Sequence, residues 1–363
     1  MKNDGLPRVL LRILSFAAAP LLFIADRVSE RTKVRLPRLA IAAVNIFIYV
    51  WILSLDSVGV LNGYIMIIIN RSLIFVILAV SLNLINGITG QFSLGHMGFA
   101  AVGAYVSGLV TTILFKLSPD SLSGNAIFVG ALVLGGLASA LVGFLIGFPS
   151  LRLKGDYLAI VTLGFGEIIR TILNNIDYVG GPRGLLGIPK FSTFPTIFLF
   201  TFLAVVILRN LVQSSHGRAM LSIRENELAA ELAGVDTTRY KVLGFAIGAF
   251  FAGIAGGLLA HLLQMAHPTQ YGFYASALVL IMVYAGGMGS LTGSILAAFM
   301  LTFLTEGLRL VIDWLNGTVG LPIGTEWTMV VYAVLLIMVM LFRTSGLMGT
   351  REAKILILGE VKK

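Results

Sequence analysis

The stretch AIFVGALVLGGLASALVGFLIGF, residues 126–148, contains 23 consecutive residues without a charge. A helix rises about 1.5 Å per residue, so one of this length crosses the roughly 30 Å hydrocarbon core of a bilayer. Small residues recur in it at every fourth position, a pattern typical of helices that approach each other closely in membranes. These residues are Gly135, Ser139, Gly143 and Gly147. The stretch therefore predicts a transmembrane helix that packs tightly, and we expect its contacts to lie within one subunit.

The composition extends this prediction to the whole chain. Hydrophobic residues make up 57% of the 363 residues and charged residues only 12%, which is more apolar surface than a soluble core needs. The absence of cysteine excludes disulfides, thiolate metal ligands and cysteine nucleophiles. The formal net charge of +9 is explained by basic cytoplasmic loops of a membrane protein, so we expect contact with lipid and no nucleic-acid partner.

Further apolar segments predict an all-α, polytopic transmembrane helix bundle of about 8–10 spans. The segment 274–285 is too short to cross the membrane, which predicts a half-helix or a helix continued through the following glycines. Similar numbers of spans flank the polar stretch 213–241, an arrangement compatible with an inverted repeat. The other predicted spans are 39–55, 64–85, 99–117, 156–174, 196–211, 242–266, 291–312 and 327–342.

The distribution of basic residues orients the bundle. If the N-terminus is inside, the inside segments 1–38, 152–156, 213–241 and 343–363 together carry 19 Lys or Arg residues. The outside loops carry three, namely Lys116, Arg183 and Lys190. Because Lys and Arg concentrate in cytoplasmic loops, this asymmetry predicts that both termini and the 213–241 loop are cytoplasmic.

The polar stretch QSSHGRAMLSIRENELAAELAGVDTTRYK, residues 213–241, separates two groups of spans. Residues 219–233 are mostly good helix formers, and Leu221, Leu228 and Leu232 fall on one side at spacings of seven and four. This pattern predicts a helix with a thin apolar stripe and a charged rim that includes Arg224. A solvated linker helix and a docking helix that passes force from a soluble motor both fit it.

Two glycine-rich breaks interrupt the spans, GQFSLGH at 90–96 and GGMGSLTG at 286–293. Unwound backbone at membrane depth is tolerated where it is buried in protein or lines a water-filled path, and half-helix N-termini can bind a carboxylate. A tight turn at the membrane surface explains each break equally well. If the breaks form a solute pathway, its candidate residues are Gly90, Gln91, Ser93, Gly95, His96, Gly286, Gly287, Gly289, Ser290 and Thr292.

The sequence has no residue pattern of a common enzyme. It contains no G-x-x-x-x-G-K-[ST] phosphate loop, no G-x-S-x-G nucleophile elbow and no H-E-x-x-H zinc helix. None of the four histidines has a carboxylate at a metal-ligand spacing, and we expect all four to be structural. We therefore expect no catalysis, no bound cofactor and no metal in this chain.

Charged residues inside the predicted spans are few. Glu167 and Glu306 each have an arginine three residues later, so each can be neutralised by its neighbour on the helix. Arg71 has no local partner. We expect it either to pair across helices, with an acid such as Asp156 or Glu167, or to extend outward to the membrane surface.

Four collinear segments resemble the branched-chain amino acid permease family of ABC importers. SLNLINGITGQFSLGHMGFAAVGAY (81–105) resembles the signature of that family, and RLKGDYLAIVTLGFGEIIR (152–170) resembles its LivM-type subunit. GRAMLSIRENELAAELAGV (217–235) is similar to the family's cytoplasmic coupling loop. AGGMGSLTGSILAAFMLTFLTEGLR (285–309) is similar to its C-terminal block.

The resemblance implies a permease subunit of a bacterial or archaeal cytoplasmic membrane that forms a translocation pathway with a second, LivH-like permease subunit. Two ATPase subunits would dock on its cytoplasmic loops, and an extracytoplasmic solute-binding protein would deliver leucine, isoleucine or valine. The permease domain would occupy 39–343, between a basic, interfacial N-terminal segment 1–38 and a cytoplasmic tail 344–363. The resemblance assigns ATPase coupling to Gly217, Arg218, Arg224, Asn226, Glu227 and Ala230, to which the leucine stripe adds Leu228 and Leu232.

Other functions stay open at this point. Urea and short-chain amide importers use close relatives of this family. An ion-coupled secondary transporter acting alone would usually need acids in its spans for coupling, and those of this chain have an arginine nearby or lie near span ends. A membrane-embedded transferase or protease would need catalytic residues in a span, and the sequence has none. Purification together with ATPase subunits would separate the importer from both other classes.

Overall fold

The computed structural model describes residues 62–115, 122–150, 155–319 and 346–349, together with the single residues 49 and 334. Residues Leu61–Thr350 form one compact unit. Apart from the single residues 49 and 334, the predicted spans 39–55 and 327–342 lie outside the described residues, as do the basic segment 1–38 and most of the tail 344–363.

The described part of the chain contains ten α-helices, numbered here in chain order. Turns of π-helix extend α1 over Leu84–Ile88 and α2 over Val110–Leu114. Two short strands, β1 (Leu185–Leu186) and β2 (Met265–Ala266), pair antiparallel. The helices are α1 (Gly63–Asn83), α2 (His96–Leu109), α3 (Leu122–Ser150), α4 (Asp156–Asn175), α5 (Phe194–Gln213), α6 (Ser215–Glu225), α7 (Glu227–Leu232), α8 (Thr237–Leu263), α9 (Phe273–Gly286) and α10 (Leu291–Val319).

The predicted all-α membrane bundle is confirmed. Six of the described helices are long and apolar enough to cross a membrane: α1, α2, α3, α5, α8 and α10. The predicted span 156–174 is helical as α4, but it is not one of the six, and Asp156, Glu167 and Arg170 make it less apolar than they are. α9 has 14 residues, as expected of a half-helix. The chain is therefore a multi-pass membrane protein.

Helix α8 lies at the centre of the bundle, where it packs against α1, α2 and α3. A Cβ atom added at Gly103 of α2 would lie 2.1 Å from the carbonyl oxygen of Gly253 in α8. One added at Gly143 of α3 would lie 2.5 Å from the Cβ of Ala249, also in α8. The repeated small residues of α3 therefore pack within the subunit, as predicted, because only side chains of this size let the three helices approach so closely.

The Glu167–Arg170 and Glu306–Arg309 pairs predicted from their spacing form, and Arg71 also forms an ion pair, although with a different partner from those expected. Arg170 lies 2.6 Å from Glu167, as the spacing predicted. Arg71 pairs across helices with Glu306, at 3.5 Å, and not with Asp156 or Glu167. The reason is topological: α1 packs against α10, which carries Glu306, whereas α4 packs against α2.

Candidate functional site

The second glycine break lies against the end of α1, just before the first break begins, although the two breaks are about 200 residues apart in sequence. The Asn83 amide of α1 donates to the Ser290 carbonyl at 2.9 Å and accepts from the Gly289 N–H at 2.9 Å. A Cβ added at Gly87 would lie 2.4 Å from the Gly289 nitrogen, so the backbones are in direct contact. An amide side chain suits this position because it carries both a donor and an acceptor.

The first break folds back along the end of α1. The Asn86 side chain accepts from the Ser93 N–H at 3.2 Å and donates to the Ser93 carbonyl at 3.4 Å. Gly90, which is exposed, has a φ of +70°, a conformation that favours glycine. As a result His96, the first residue of α2, returns to the level of Ser81, and its Nε2 lies 2.9 Å from the Ser81 hydroxyl. The break is thus an ordered, buried loop beside α1.

Several polar atoms of this loop have no hydrogen-bond partner among the described residues. Gln91 is only 3% exposed, and both its amide nitrogen and its amide oxygen are unbonded. The Ser93 hydroxyl and the Nδ1 atom of His96 are unbonded as well. Because buried polar groups in proteins are nearly always satisfied, the unbonded side-chain atoms of Gln91 and Ser93 mark this loop as a candidate functional position.

Gly95 has a different environment from its neighbours. A Cβ added there would lie 2.0 Å from the Thr162 carbonyl oxygen in α4. The Thr162 hydroxyl also accepts from the Leu94 N–H at 3.0 Å. Gly95 therefore serves a close backbone contact between the break and α4.

The second break is packed mainly by backbone. Gly287 and Gly289 have φ values of +110° and +88°, which favour glycine. The turn at 346–349 covers this break, since the Leu347 and Met348 N–H groups donate to the carbonyls of Ala285 and Gly286. A Cβ added at Gly286 would lie 2.4 Å from the Gly293 carbonyl carbon. The hydroxyls of Ser290 and Thr292, both buried, lie 3.1 Å apart.

The polar stretch 213–241 forms two helices, so the prediction of a single helix over 219–233 is wrong. Helix α6 ends at Glu225, and the extended residue Asn226 begins α7. The Asn226 side chain accepts from the Ala229 N–H at 3.1 Å, which is the bond of an N-cap. Asn is a strong N-cap residue, and here this local preference wins over the helix propensity of the residues around it.

The two helices divide their side chains between a buried and an exposed side. Met220, Ile223 and Ala230 are buried, while Leu228 and Leu232 are 68% and 90% exposed. Because these two leucines are four residues apart, they share one face of α7. The exposed part of the predicted stripe is therefore an apolar patch on α7, from which the half-buried Leu221 of α6 is excluded.

The remaining predicted coupling residues have local roles. Gly217 lies against the chain at the end of α5, where an added Cβ would be 2.1 Å from the Val212 carbonyl oxygen. Arg218 is exposed and donates to the Gln213 carbonyl and the Ser215 hydroxyl. Glu227 forms an ion pair with Lys241 at 2.6 Å, which ties α7 to the start of α8.

Arg224 points into the bundle instead of standing at an exposed rim. Its side chain is 27% exposed, and its Nη1 donates to the Gly87 carbonyl at 2.6 Å. Its Nε and Nη2 donate to the Glu225 carboxylate. Because Gly87 lies in the π-turn that ends α1, both glycine breaks lie at the end of the bundle that carries α6 and α7.

Sequence reasoning missed Asn83, Asn86 and Gly87. All three lie in the run SLNLINGITG, where two asparagines three residues apart interrupt an apolar span. Polar side chains inside a span usually face protein and often mark a functional position, so this spacing was a usable signal.

Comparison with known proteins finds one matching family and several relatives, all of which are permeases of branched-chain amino acid transport. Residues 64–340 match a family described as "Branched-chain amino acid transport system / permease component". The permease protein LivM of a high-affinity branched-chain amino acid transport system from Salmonella typhimurium strain LT2 is 36% identical over 312 residues, covering 76% of this chain and 68% of the relative. A probable LivM from Methanocaldococcus jannaschii is 25% identical and covers 76% and 90%. The permease protein LivH of Escherichia coli strain K12 is 26% identical and covers 77% and 92%.

Proposed function

We propose that this chain, which belongs to the branched-chain amino acid transport permease family, is a transmembrane subunit of an ATP-binding cassette importer for leucine, isoleucine and valine. Its six apolar helices provide the membrane domain that this function requires. The observation that carries the proposal is the apolar patch on α7: Leu228 and Leu232 are exposed on a polar loop, at the same end of the bundle as both glycine breaks.

The α7 patch would bind an ATPase subunit. The chain has no phosphate loop, so ATP hydrolysis would belong to two partner subunits. Leu228 and Leu232 are surrounded by exposed polar residues such as Glu225 and Glu231, an arrangement of apolar anchor and polar rim that is common at protein interfaces. Fully burying a leucine contributes about 1.5–3 kcal/mol, so the pair would supply a substantial part of the binding free energy.

A second permease subunit would complete the pathway. The relatives include two kinds of permease from high-affinity branched-chain amino acid transport systems, LivM and LivH. Because this chain is more similar to LivM, we assign it the LivM position beside a LivH-like subunit. The solute would pass the first glycine break, where the buried Gln91 and Ser93 side chains offer unbonded donors and acceptors.

A solute-binding protein would dock at the opposite end of the bundle. There β1 and β2 tie the α4–α5 connection to the α8–α9 connection, and this ordered surface exposes Tyr178, Arg183 and Leu186. Tyrosine and arginine often dominate binding energy at interfaces. Positive charge in the 213–241 loop favours the cytoplasm for the α7 end, so this second surface would face outward.

Co-purification tests the proposal. The chain would be expressed with its partner subunits, and ATPase recovery would be compared between the wild type and a Leu228→Ala/Leu232→Ala double variant. The matched control is Leu199→Ala/Leu203→Ala, which changes two exposed leucines at the same spacing on α5. We expect ATPase recovery to fall only in the α7 variant. Full ATPase recovery and full uptake with the α7 variant would show that α7 is not the docking surface.

A further inference from the structure

We infer that Arg224 is a positioning residue that holds the first glycine break against the ATPase-docking loop. Because of this contact, a movement of α7 would also move the backbone of the solute pathway. The inference rests on the proposed function, because coupling requires that α7 binds an ATPase. It adds to that function a defined connection between the docking surface and the pathway, and it assigns the connection to one side chain.

The position of Arg224 in the chain suits this role. It occupies the last turn of α6, two residues before Asn226 ends that helix and begins α7. The extended residue Asn226 joins α7 directly to the turn that carries Arg224. A displacement of α7 therefore acts on that turn, and through the Glu227–Lys241 ion pair it also acts on the start of α8.

Arg224 touches both glycine breaks. Its Nη1 donates to the Gly87 carbonyl at 2.6 Å. A Cβ added at Gly90 would lie 2.8 Å from the Arg224 Cγ, and one added at Gly289 would lie 2.7 Å from its Nη1. Glycine at these two positions lets the long side chain lie directly on the backbone of each break.

The contact is specific to arginine. The guanidinium donates from Nε and Nη2 to the Glu225 carboxylate and from Nη1 to the Gly87 carbonyl, so its planar fork bridges an acid and a backbone oxygen. Hydrogen bonds from a charged donor are about twice as strong as neutral ones, and they strengthen further away from water. A lysine at this position would keep the charge but lose the fixed geometry of the fork.

The connection continues from Gly87 into the pathway. Gly87 and Gly289 are in backbone contact, and Asn83 binds the second break at Gly289 and Ser290. The residue before Gly87 is Asn86, whose side chain holds both backbone groups of Ser93. Arg224 therefore reaches this loop segment in two ways: directly at Gly90, which precedes Gln91, and through Gly87 and the Asn86 side chain to Ser93.

Coupling measurements in proteoliposomes test the inference. The complete importer would carry Arg224→Gln, Arg224→Lys or the control Arg239→Gln, an exposed arginine of the same loop. We expect Arg224→Gln to keep its ATPase subunits but to lower the leucine transported per ATP hydrolysed by about tenfold, the factor expected for loss of one charge-assisted hydrogen bond. The leucine transported per ATP by Arg224→Lys should lie between the values for Arg224→Gln and the wild type, and the Arg239→Gln control should match the wild type. Loss of ATPase binding in Arg224→Gln, or full transport per ATP in either Arg224 variant, would overturn the inference.

A second measurement needs no partner subunits, so it separates failure of the inference from failure of the proposed function. The chain has no cysteine, which allows Ser93→Cys to report the loop and Ser107→Cys, buried in α2, to report the rest of the fold. In the purified chain, Arg224→Gln should raise the alkylation rate at position 93 by about tenfold, because one anchoring bond is lost. The alkylation rate at position 107 should not change. An unchanged rate at 93, or an equal rise at both positions, would refute a positioning role.

Discussion

Adding a single methyl group at Gly256 would test the close approach of α8 to α2. A Cβ at this position would lie 1.9 Å from the carbonyl oxygen of Ala100 and 2.6 Å from its carbonyl carbon. The obstructing atoms belong to the backbone, so no side-chain rotation can relieve the overlap. To reach an ordinary contact of 3.4 Å, the two helices must move apart by about 1.5 Å.

The expected cost follows from this displacement. Inserting a methyl group into a packed core typically costs about 1–3 kcal/mol, whereas replacing glycine by alanine inside a helix gains about 1 kcal/mol of helix propensity. The displacement also opens the contact between Gly103 and Gly253, which lies in the same interface. These two terms leave a net cost of about 0–2 kcal/mol, and we expect Gly256→Ala to cost near the upper end, about 2 kcal/mol, because the second contact is lost as well.

Thermal stability of the detergent-purified protein measures this cost. For domains of 150–250 residues, 1 kcal/mol corresponds to a shift in Tm of roughly 2–4 °C. The matched control is Gly130→Ala in α3, because a Cβ at Gly130 meets no atom within 4 Å and only the propensity gain remains. We expect Gly256→Ala to lower Tm by several degrees and Gly130→Ala to leave it unchanged or slightly higher. Equal Tm values for the two variants would show that the α2–α8 contact is not as close as described.

Two further predictions concern the pathway and the orientation. Gln91→Leu should keep or raise thermal stability, since it removes a buried amide without partners, while it lowers leucine uptake because that amide is proposed to contact the solute; normal uptake would remove Gln91 from the pathway. A cysteine introduced at Thr193, at the end of the bundle opposite α7, should react with an impermeant thiol reagent in intact cells, whereas one at Ser215 should not. Reaction at position 215 would place α6 and α7 outside the cell and contradict ATPase docking there.

The membrane architecture could be predicted from the sequence, because the properties that define a span are local. Length and apolar character identified the spans that became α1, α3 and α8, and shortness identified the half-helix α9. The repeated small residues of α3 predicted its close packing within the subunit, since such spacing places them on one face of a helix. The glycine breaks were visible for the same reason, because glycines grouped with polar residues between two apolar segments disfavour a continuous helix.

The contacts between distant residues could not be predicted from the sequence, because they depend on the folded structure. Arg71 pairs with Glu306 because α1 lies beside α10, and no local pattern distinguishes that acid from Asp156 or Glu167. Likewise, the bond from Arg224 to Gly87 joins residues 137 positions apart, and charge alone predicted an exposed rim for this arginine. Periodicity placed three leucines on one stripe, but the cap at Asn226 divided the helix and left only Leu228 and Leu232 exposed together. Hydropathy acts on each segment separately, whereas contacts between segments depend on how the helices pack, and that arrangement is a property of the whole chain.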